Sequence, residues 1–263
     1  MSSYYYQERQ SYAASSGRPV TYAVQRLILA NIIVFAVQLI VSIPLSGIGV
    51  APPGLALLSG TPAMQPEYWL GFNPDLFRIG AIWQLGTYMF LHGGLSHLFF
   101  NMLMLYFFGP DIERILSTRQ FFRFYLLCGA VGVLAQFGLT FFGSDSVPTV
   151  GASGAVLGVL AAYAVAFPQR EIRIFPWPFA IYAWALALLI FLMSLFIDSQ
   201  NPATAWATHA GGMVCGFVYM KSAPTIRTWF ERVPKKKTKD PADHIGDAVD
   251  NIFKFDEEKR RRK

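Results

Sequence analysis

The chain has 263 residues, of which 54% are hydrophobic and only 14% are charged. Soluble domains carry about 25% charged residues, so this composition argues against an ordinary soluble domain. The formal net charge is +6. The basic residues are grouped between apolar segments, which indicates membrane topology and not nucleic-acid binding. The sequence therefore predicts an integral membrane protein in contact with a lipid bilayer.

Six apolar segments follow one another along the chain, each long enough to cross a hydrocarbon core of about 30 Å. They cover residues 27–43, 91–109, 124–142, 150–167, 175–197 and 203–220. The predicted fold class is thus an all-α polytopic bundle of six transmembrane helices. We divide the chain into a polar segment (1–24), a membrane domain (25–221) and a charged tail (222–263). We expect no cleavable signal peptide, because residues 1–20 lack an apolar stretch.

Basic residues predict the orientation of these spans. On the side that six spans assign to both termini lie 21 of the 22 Lys and Arg residues, and only Arg78 lies opposite. Positive charge favours the cytoplasmic side, so both termini are predicted to be cytoplasmic. We expect a multi-pass protein of a bacterial inner membrane. Its basic tail either contacts anionic lipid or is simply solvated.

A long connection separates the first two spans. It is nearly fifty residues long, rich in Pro and Gly, and contains Trp69 and Trp83. That is too long for a passive connection. Because amphipathic aromatic rings favour the membrane interface, we expect this loop to rest at the outer membrane surface.

Four polar residues within the spans need explanation, because a polar group without a partner is costly in hydrocarbon. They are His97, Asn101, Ser153 and His209. Their spans (two, four and six) all run inward from the outer face, and each polar residue follows shortly after its span begins. At 1.5 Å per residue, the side chains lie roughly 5 to 10 Å below the outer surface. We therefore expect them to meet at one depth.

Glycine pairs predict how two of these spans approach each other. Gly154 and Gly158 are four residues apart on span four, and Gly212 and Gly216 are four apart on span six. Small residues at this spacing let membrane helices pack closely. Such pairs also occur in ordinary packing. If the two pairs face each other, His209 is carried toward Ser153.

The residue types point to acyl transfer. A serine hydroxyl becomes nucleophilic when a neighbouring base takes its proton, and His209 is the available base. No carboxylate lies within a span to orient it, which predicts a dyad and not a triad. Candidate oxyanion donors are the Ser153 N–H, the Asn101 amide and the His97 imidazole.

Other polar and sulfur-containing residues receive less weight. Taken singly, a membrane serine, histidine or asparagine is often only a packing or hydrogen-bonding residue, and it is their common depth that favours chemistry. His92 is interpreted as interfacial or as a partner of the site. Cys128 and Cys215 are interpreted as buried small side chains, with no metal or cofactor expected.

At this point the motifs match a known family. They are residues 83–92 (WQLGTYMFLH), the HxxxN of His97 and Asn101, the GxSG of residues 151–154, and the HAG that begins at His209. From about Trp83 to Tyr219 the chain resembles the rhomboid intramembrane serine proteases. The resemblance implies Ser153 as nucleophile, His209 as base, and His97 with Asn101 at the oxyanion hole. It also implies transmembrane proteins as substrates, a loop lying partly in the membrane, and span five as a lateral gate.

Two departures from the family pattern, and two other functions, remain open. Many members have Arg where this chain has Gln84, which puts bracing of the loop in doubt. Some have an aromatic residue where it has Leu157. A catalytically silent rhomboid-like protein that binds membrane clients is one alternative, and a transporter is another. The transporter is disfavoured because no acidic residue lies in the middle of a span. The oligomeric state is left open.

Overall fold

A computed structural model describes residues 20–46, 66–142, 148–173, 179–196 and 206–231. Its helices are α1 (Tyr22–Ser46), α2 (Pro66–Leu70), α3 (Pro74–Arg78), α4 (Gln84–Thr87), α5 (Leu95–Leu116), α6 (Thr118–Leu139), α7 (Ser153–Ala166), α8 (Ala183–Phe196) and α9 (Trp206–Glu231). Single 3-10 turns cover Tyr88–Phe90 and Thr140–Phe142. Strands β1 (Glu171–Arg173) and β2 (Ala180–Tyr182) pair antiparallel, with Ile172 opposite Ile181. Across these ranges the fold is mostly helical, which confirms the helical character of the predicted class.

Helices α1 and α5 to α9 coincide with the six predicted spans, but several boundaries were wrong. The predicted connection between spans two and three is helical except for Ser117, whose φ of 70° turns the chain between α5 and α6. Span five was predicted to begin at residue 175, yet α8 begins at Ala183, after the β-hairpin. The hairpin is formed by backbone hydrogen bonds between its two strands. The length of an apolar segment does not predict such pairing.

The number of membrane crossings stays a prediction. Among the described residues, two helical stretches are long and apolar enough to cross a bilayer unaided, Tyr22–Val41 and Thr118–Phe142. Helices α7 and α8 have 14 residues each. At 1.5 Å per residue they are about 21 Å long, which is shorter than the usual hydrocarbon core. Residues 47–65 of the long loop, and the terminal segments 1–19 and 232–263, lie outside the described residues.

Helix α7 is at the centre of the bundle. It contacts α5, α6 and α8, and 10 of its 14 residues are buried. Its glycines contact α9 at backbone distance: a Cβ added at Gly212 would lie 2.0 Å from the Gly154 carbonyl oxygen, and one at Gly216 would lie 2.1 Å from that of Gly158. The two glycine pairs therefore face each other, which is the condition under which His209 is carried toward Ser153.

More polar residues than the four singled out lie buried in the predicted spans. Asn31, Gln38 and Gln136 are three of them. The Asn31 side chain donates to a carbonyl of its own helix at 2.7 Å. Gln38 accepts the His92 backbone N–H at 3.0 Å. Gln136 accepts the Ala207 N–H at 3.2 Å. The hydrogen bonds of Gln38 and Gln136 connect separate elements. These two buried side chains therefore have a structural role and no part in the chemistry.

Gln84 braces the loop that precedes α5. Its side chain is fully buried, and Oε1 accepts the Asn73 N–H at 3.0 Å while Nε2 donates to the Trp69 carbonyl at 3.1 Å. The Trp83 indole donates to the same Trp69 carbonyl at 2.9 Å. An amide thus joins the parts of the loop on both sides of α3.

Glu113 anchors the start of α1. Its buried carboxylate accepts the N–H groups of Ala23 and Val24 at 3.0 and 3.1 Å, and the Thr118 hydroxyl at 2.7 Å. The Thr21 hydroxyl also donates to it. A carboxylate is favourable there because the first N–H groups of a helix lack intrahelical partners and carry partial positive charge.

Candidate active site

The turn before Ser153 depends on Gly151. Its φ of +119° belongs to the region that favours glycine, and its N–H donates to the Tyr88 carbonyl at 2.9 Å. A Cβ at Gly151 would lie 2.5 Å from Cε1 of His97. Backbone conformation and close contact both require glycine here. The imidazole of His97 can therefore lie directly against the turn that presents Ser153.

Ser153 is the first residue of α7, and His209 is the fourth residue of α9. The Ser153 Oγ lies 2.9 Å from Nε2 of His209, which is hydrogen-bond distance. Both side chains are half-buried. When Nδ1 carries the imidazole proton, Nε2 can accept from the serine hydroxyl. The structure therefore brings together the two residues predicted to form the dyad.

The glycine contact between α7 and α9 lies directly beside this pair. Gly154 follows Ser153, and a Cβ there would come within 2.9 Å of Cγ2 of Thr208, the neighbour of His209. On the other side of α9, Gln136 of α6 accepts the Ala207 N–H. Helix α9 is thus located from two sides within a few residues of His209.

His97 and Asn101 lie on α5, as predicted, but they have different surroundings. His97 is half-buried against Gly151, and its ring meets that of His92 edge-on with centroids 5.1 Å apart. Asn101 is buried one turn further along, and its Nδ2 donates to the His97 carbonyl at 2.9 Å. An amide nitrogen carries two hydrogens, so one remains for another acceptor.

No role was predicted for Tyr88, although it belongs to the motif at residues 83–92. It is fully buried, its hydroxyl donates to the Gly129 carbonyl at 2.7 Å, and its own carbonyl accepts the Gly151 N–H. Tyr88 therefore connects α6 to the turn before Ser153. His92 is also fully buried, which favours its interpretation as a partner of the site over an interfacial position.

A second connection reaches this turn from the long loop. Phe72 and Thr149 exchange backbone hydrogen bonds, both 2.9 Å long. Phe72 is fully buried and packs against Phe77 and Phe137. The loop and the segment before Ser153 are consequently one packed unit. The residue pattern alone does not predict the pairing of Phe72 with Thr149.

The chain belongs to the rhomboid family. The model of the Rhomboid domain matches residues 80–223, more than half of the chain, and this region includes Ser153, His209, His97 and Asn101. Family membership places the chain among multi-pass membrane proteins.

Individual relatives agree with this assignment. The chain is 31% identical over 137 residues to Rhomboid protein 1, mitochondrial, of Saccharomyces cerevisiae, covering 49% of this chain and 38% of that protein. It is 31% identical over 144 residues to Rhomboid protease GluP of Bacillus subtilis, covering 54% and 26%. It is 34% identical over 113 residues to Putative rhomboid protease YdcA of Bacillus subtilis, covering 41% and 55%. The alignments thus span between about a quarter and somewhat over half of these relatives.

Proposed function

We propose that this chain is an intramembrane serine endopeptidase, which hydrolyses peptide bonds in or beside the transmembrane segments of other membrane proteins. The observation that carries the proposal is the 2.9 Å contact between Ser153 Oγ and His209 Nε2. Membership of the rhomboid family, and the similarity to a relative named as a rhomboid protease, support it.

In the first half-reaction, Ser153 Oγ attacks the carbonyl carbon of the scissile peptide while His209 Nε2 takes the hydroxyl proton. The tetrahedral intermediate collapses as the imidazolium returns that proton to the leaving amine. An acyl-serine ester remains. In the second half-reaction, His209 takes a proton from water, which attacks the ester, and Ser153 regains its hydrogen.

The oxyanion of each intermediate forms at the N-terminal end of α7. The Ser153 N–H lies in the first helical turn, where N–H groups lack intrahelical partners and the helix dipole favours negative charge. We assign His97 and Asn101 as further oxyanion donors, supported by the contact of His97 with Gly151 and by the remaining Asn101 hydrogen. Loss of one such donor typically slows catalysis about 10² to 10³-fold.

The proposed topology has six spans, both termini in the cytoplasm and the dyad toward the outer face. It rests on two observations. The basic residues are concentrated on one side of the predicted spans, and α7 and α9 both begin at the end of the bundle where Ser153 meets His209. Exposed apolar residues on the loop, among them Ile79 and Ile82, fit contact with the membrane. Substrates would reach Ser153 from the bilayer, and water from the outer face.

The decisive experiment compares wild type with Ser153→Ala and His209→Ala, using a transmembrane substrate in proteoliposomes. Cleavage should fall by at least about 10³-fold in both variants. Ser96→Ala, which removes an exposed serine at the start of α5, is the matched control and should cleave normally. Unchanged cleavage by Ser153→Ala would contradict the proposal.

Two further measurements separate the alternatives. A fluorophosphonate probe should label wild type at Ser153, and failure to label in both detergent and bilayer would favour a catalytically silent, client-binding protein. Mass spectrometry of the products locates the cut. A cut near the cytoplasmic end of the substrate segment would contradict the outward placement of the dyad.

A further inference from the structure

A cavity of about 450 Å³ lies between α7, α8 and α9, and neither Ser153 nor His209 lines it. Its walls are apolar and include Ala161 of α7, Leu188 and Phe191 of α8, and Met213 and Phe217 of α9. Lys221 is its one charged lining residue within the described part of the chain. The volume falls in the usual range for ligand sites, about 300 to 1,000 Å³. The proposed proteolytic mechanism makes no use of this space.

The cavity has the length of one bilayer leaflet. Met213 and Lys221 are eight residues apart on α9, which corresponds to about 12 Å at 1.5 Å per residue. Half of a hydrocarbon core is about 15 Å. Pro168 and Trp184 line the same end as Lys221, where the Trp184 N–H lies 3.4 Å from the Pro168 carbonyl oxygen. One end of the cavity is therefore at the end of α7 and the start of α8.

That end carries the features of a membrane interface. Phe179, Tyr182 and Trp184 are all exposed around the start of α8. Aromatic residues favour the headgroup level of a bilayer. Lys221 is exposed and lines the cavity together with Trp184, and its ammonium lies over the Phe217 ring. None of the ion pairs among the described residues involves it. A positive charge thus stands at headgroup level over an apolar space.

We propose that this cavity binds one acyl chain of an anionic phospholipid whose phosphate pairs with Lys221. The apolar walls, and a length close to that of one leaflet, suit a single acyl chain. The charge selects an anionic headgroup, since a lysine ammonium at the cytoplasmic interface attracts anionic lipid. The proposal rests on the membrane placement given above and not on the chemistry of Ser153.

The test uses the full chain in phosphatidylcholine nanodiscs containing a trace of phosphatidylglycerol with a photoreactive acyl chain. Adducts should form on peptides containing Met213 or Phe191 several-fold more often than on peptides containing Leu29 and Ile33, which are exposed on α1 and report ordinary lipid contact. Unlabelled phosphatidylglycerol should compete, and phosphatidylcholine should not. Lys221→Glu should remove most of the excess, whereas Lys221→Arg should retain it.

Two controls complete the design. Arg26→Glu reverses an exposed charge on α1, as Lys221→Glu does on α9, and should leave the cavity adducts unchanged. Ala164→Phe fills the cavity, whose wall includes Ala164, and should abolish the adducts while Ser153 still reacts with a fluorophosphonate. If Ala164→Phe does not fold, the two Lys221 variants decide the question.

Three results would overturn the proposal. Equal labelling by a photoreactive phosphatidylcholine would mean that the headgroup is not selected. Insensitivity of the adducts to Lys221→Glu would remove the assigned contact. Crosslinked dimers joined through the cavity peptides, in place of lipid adducts, would identify a second copy of the chain as the occupant.

Discussion

Helices α7 and α8 have the same length and no charged residue, yet they occupy opposite kinds of environment. In α7, 10 of 14 residues are buried. In α8, the buried residues among those with described side chains are Ala183, Leu186 and Ala187, while Leu189 and Met193 are 48% and 45% exposed. Hydrophobicity does not separate a central helix from a peripheral one.

Residue size makes the difference. Gly154 and Gly158 let α9 contact the backbone of α7. Helix α8 carries Trp, Leu, Phe and Met on most of its surface, and it leaves an open cavity beside α7 and α9. Small residues at helical spacing therefore identify the central contact of this bundle. The substitutions below test the difference between the central helix α7 and the peripheral helix α8.

Gly212→Ala should have the largest effect. Its Cβ would lie 2.0 Å from the Gly154 carbonyl oxygen, and two helix backbones cannot separate without displacing His209 from Ser153. We expect a loss of about 4 kcal/mol or more in the free energy of unfolding. Labelling of Ser153 should also fall by more than tenfold. Unfolding in mixed detergent micelles and fluorophosphonate kinetics measure the two effects.

Gly138→Ala is the matched control for this substitution. A Cβ at Gly138 would meet nothing within 4 Å. Alanine also favours a helix by up to about 1 kcal/mol, so this variant should be neutral or more stable. Equal behaviour of the two alanine variants would show that the backbone contact does not organise the bundle.

Leu160→Ala and Leu189→Ala make the same change on the two helices. Leu160 of α7 is fully buried, so its truncation leaves a cavity and should lower the free energy of unfolding by about 3 kcal/mol. Leu189 of α8 is exposed, and its truncation should change stability by less than about 0.5 kcal/mol. An effect at Leu189 as large as that at Leu160 would mean that α8 is packed against protein.

Glu113→Gln tests whether α1, a peripheral helix, is held in place through its N-terminal end. Helix α1 exposes much apolar surface, as α8 does, but Glu113 accepts hydrogen bonds from its first N–H groups. The amide presents one acceptor in place of two, so we expect a loss of about 1 to 3 kcal/mol in the unfolding measurement. Asp75→Asn removes one partner of an exposed ion pair, and should cost less than about 0.5 kcal/mol. A smaller loss for Glu113→Gln than for Asp75→Asn would contradict this anchoring role.

Tyr88→Phe should have a smaller effect than the substitutions of Gly212, Leu160 and Glu113. It removes the hydrogen bond to the Gly129 carbonyl but keeps the ring and the backbone contact with Gly151. The expected loss is about 1 kcal/mol, with modestly slower labelling of Ser153. Tyr106→Phe, at an exposed position of α5, is the control and should change neither quantity. A large loss of labelling at unchanged stability would instead assign the hydroxyl a part in the chemistry.

The sequence predicted the helical class, the positions of the main helices, and the meeting of Ser153 with His209. These follow from apolar runs and from glycine spacing, which are properties of single helices. It did not predict the β-hairpin before α8, the joint at Ser117, or the partners of Gln38 and Gln136. The partners of Gln38 and Gln136 depend on contacts between residues far apart in the chain. The joint at Ser117 and the hairpin are local backbone features that the length of an apolar run does not reveal. The bracing by Gln84 was likewise out of reach, because it joins three separate backbone groups.

The hydrogen bond from the Ala207 N–H to Gln136 has a mechanical consequence. Together with the glycine contact to α7, it fixes the start of α9 through helices other than α8. If the chain is the protease proposed above, a substrate segment that displaced α8 would meet Ser153 and His209 already at hydrogen-bond distance. Substrate entry and alignment of these two residues would then be separate events, so substitutions in α8 should leave the reactivity of Ser153 unchanged.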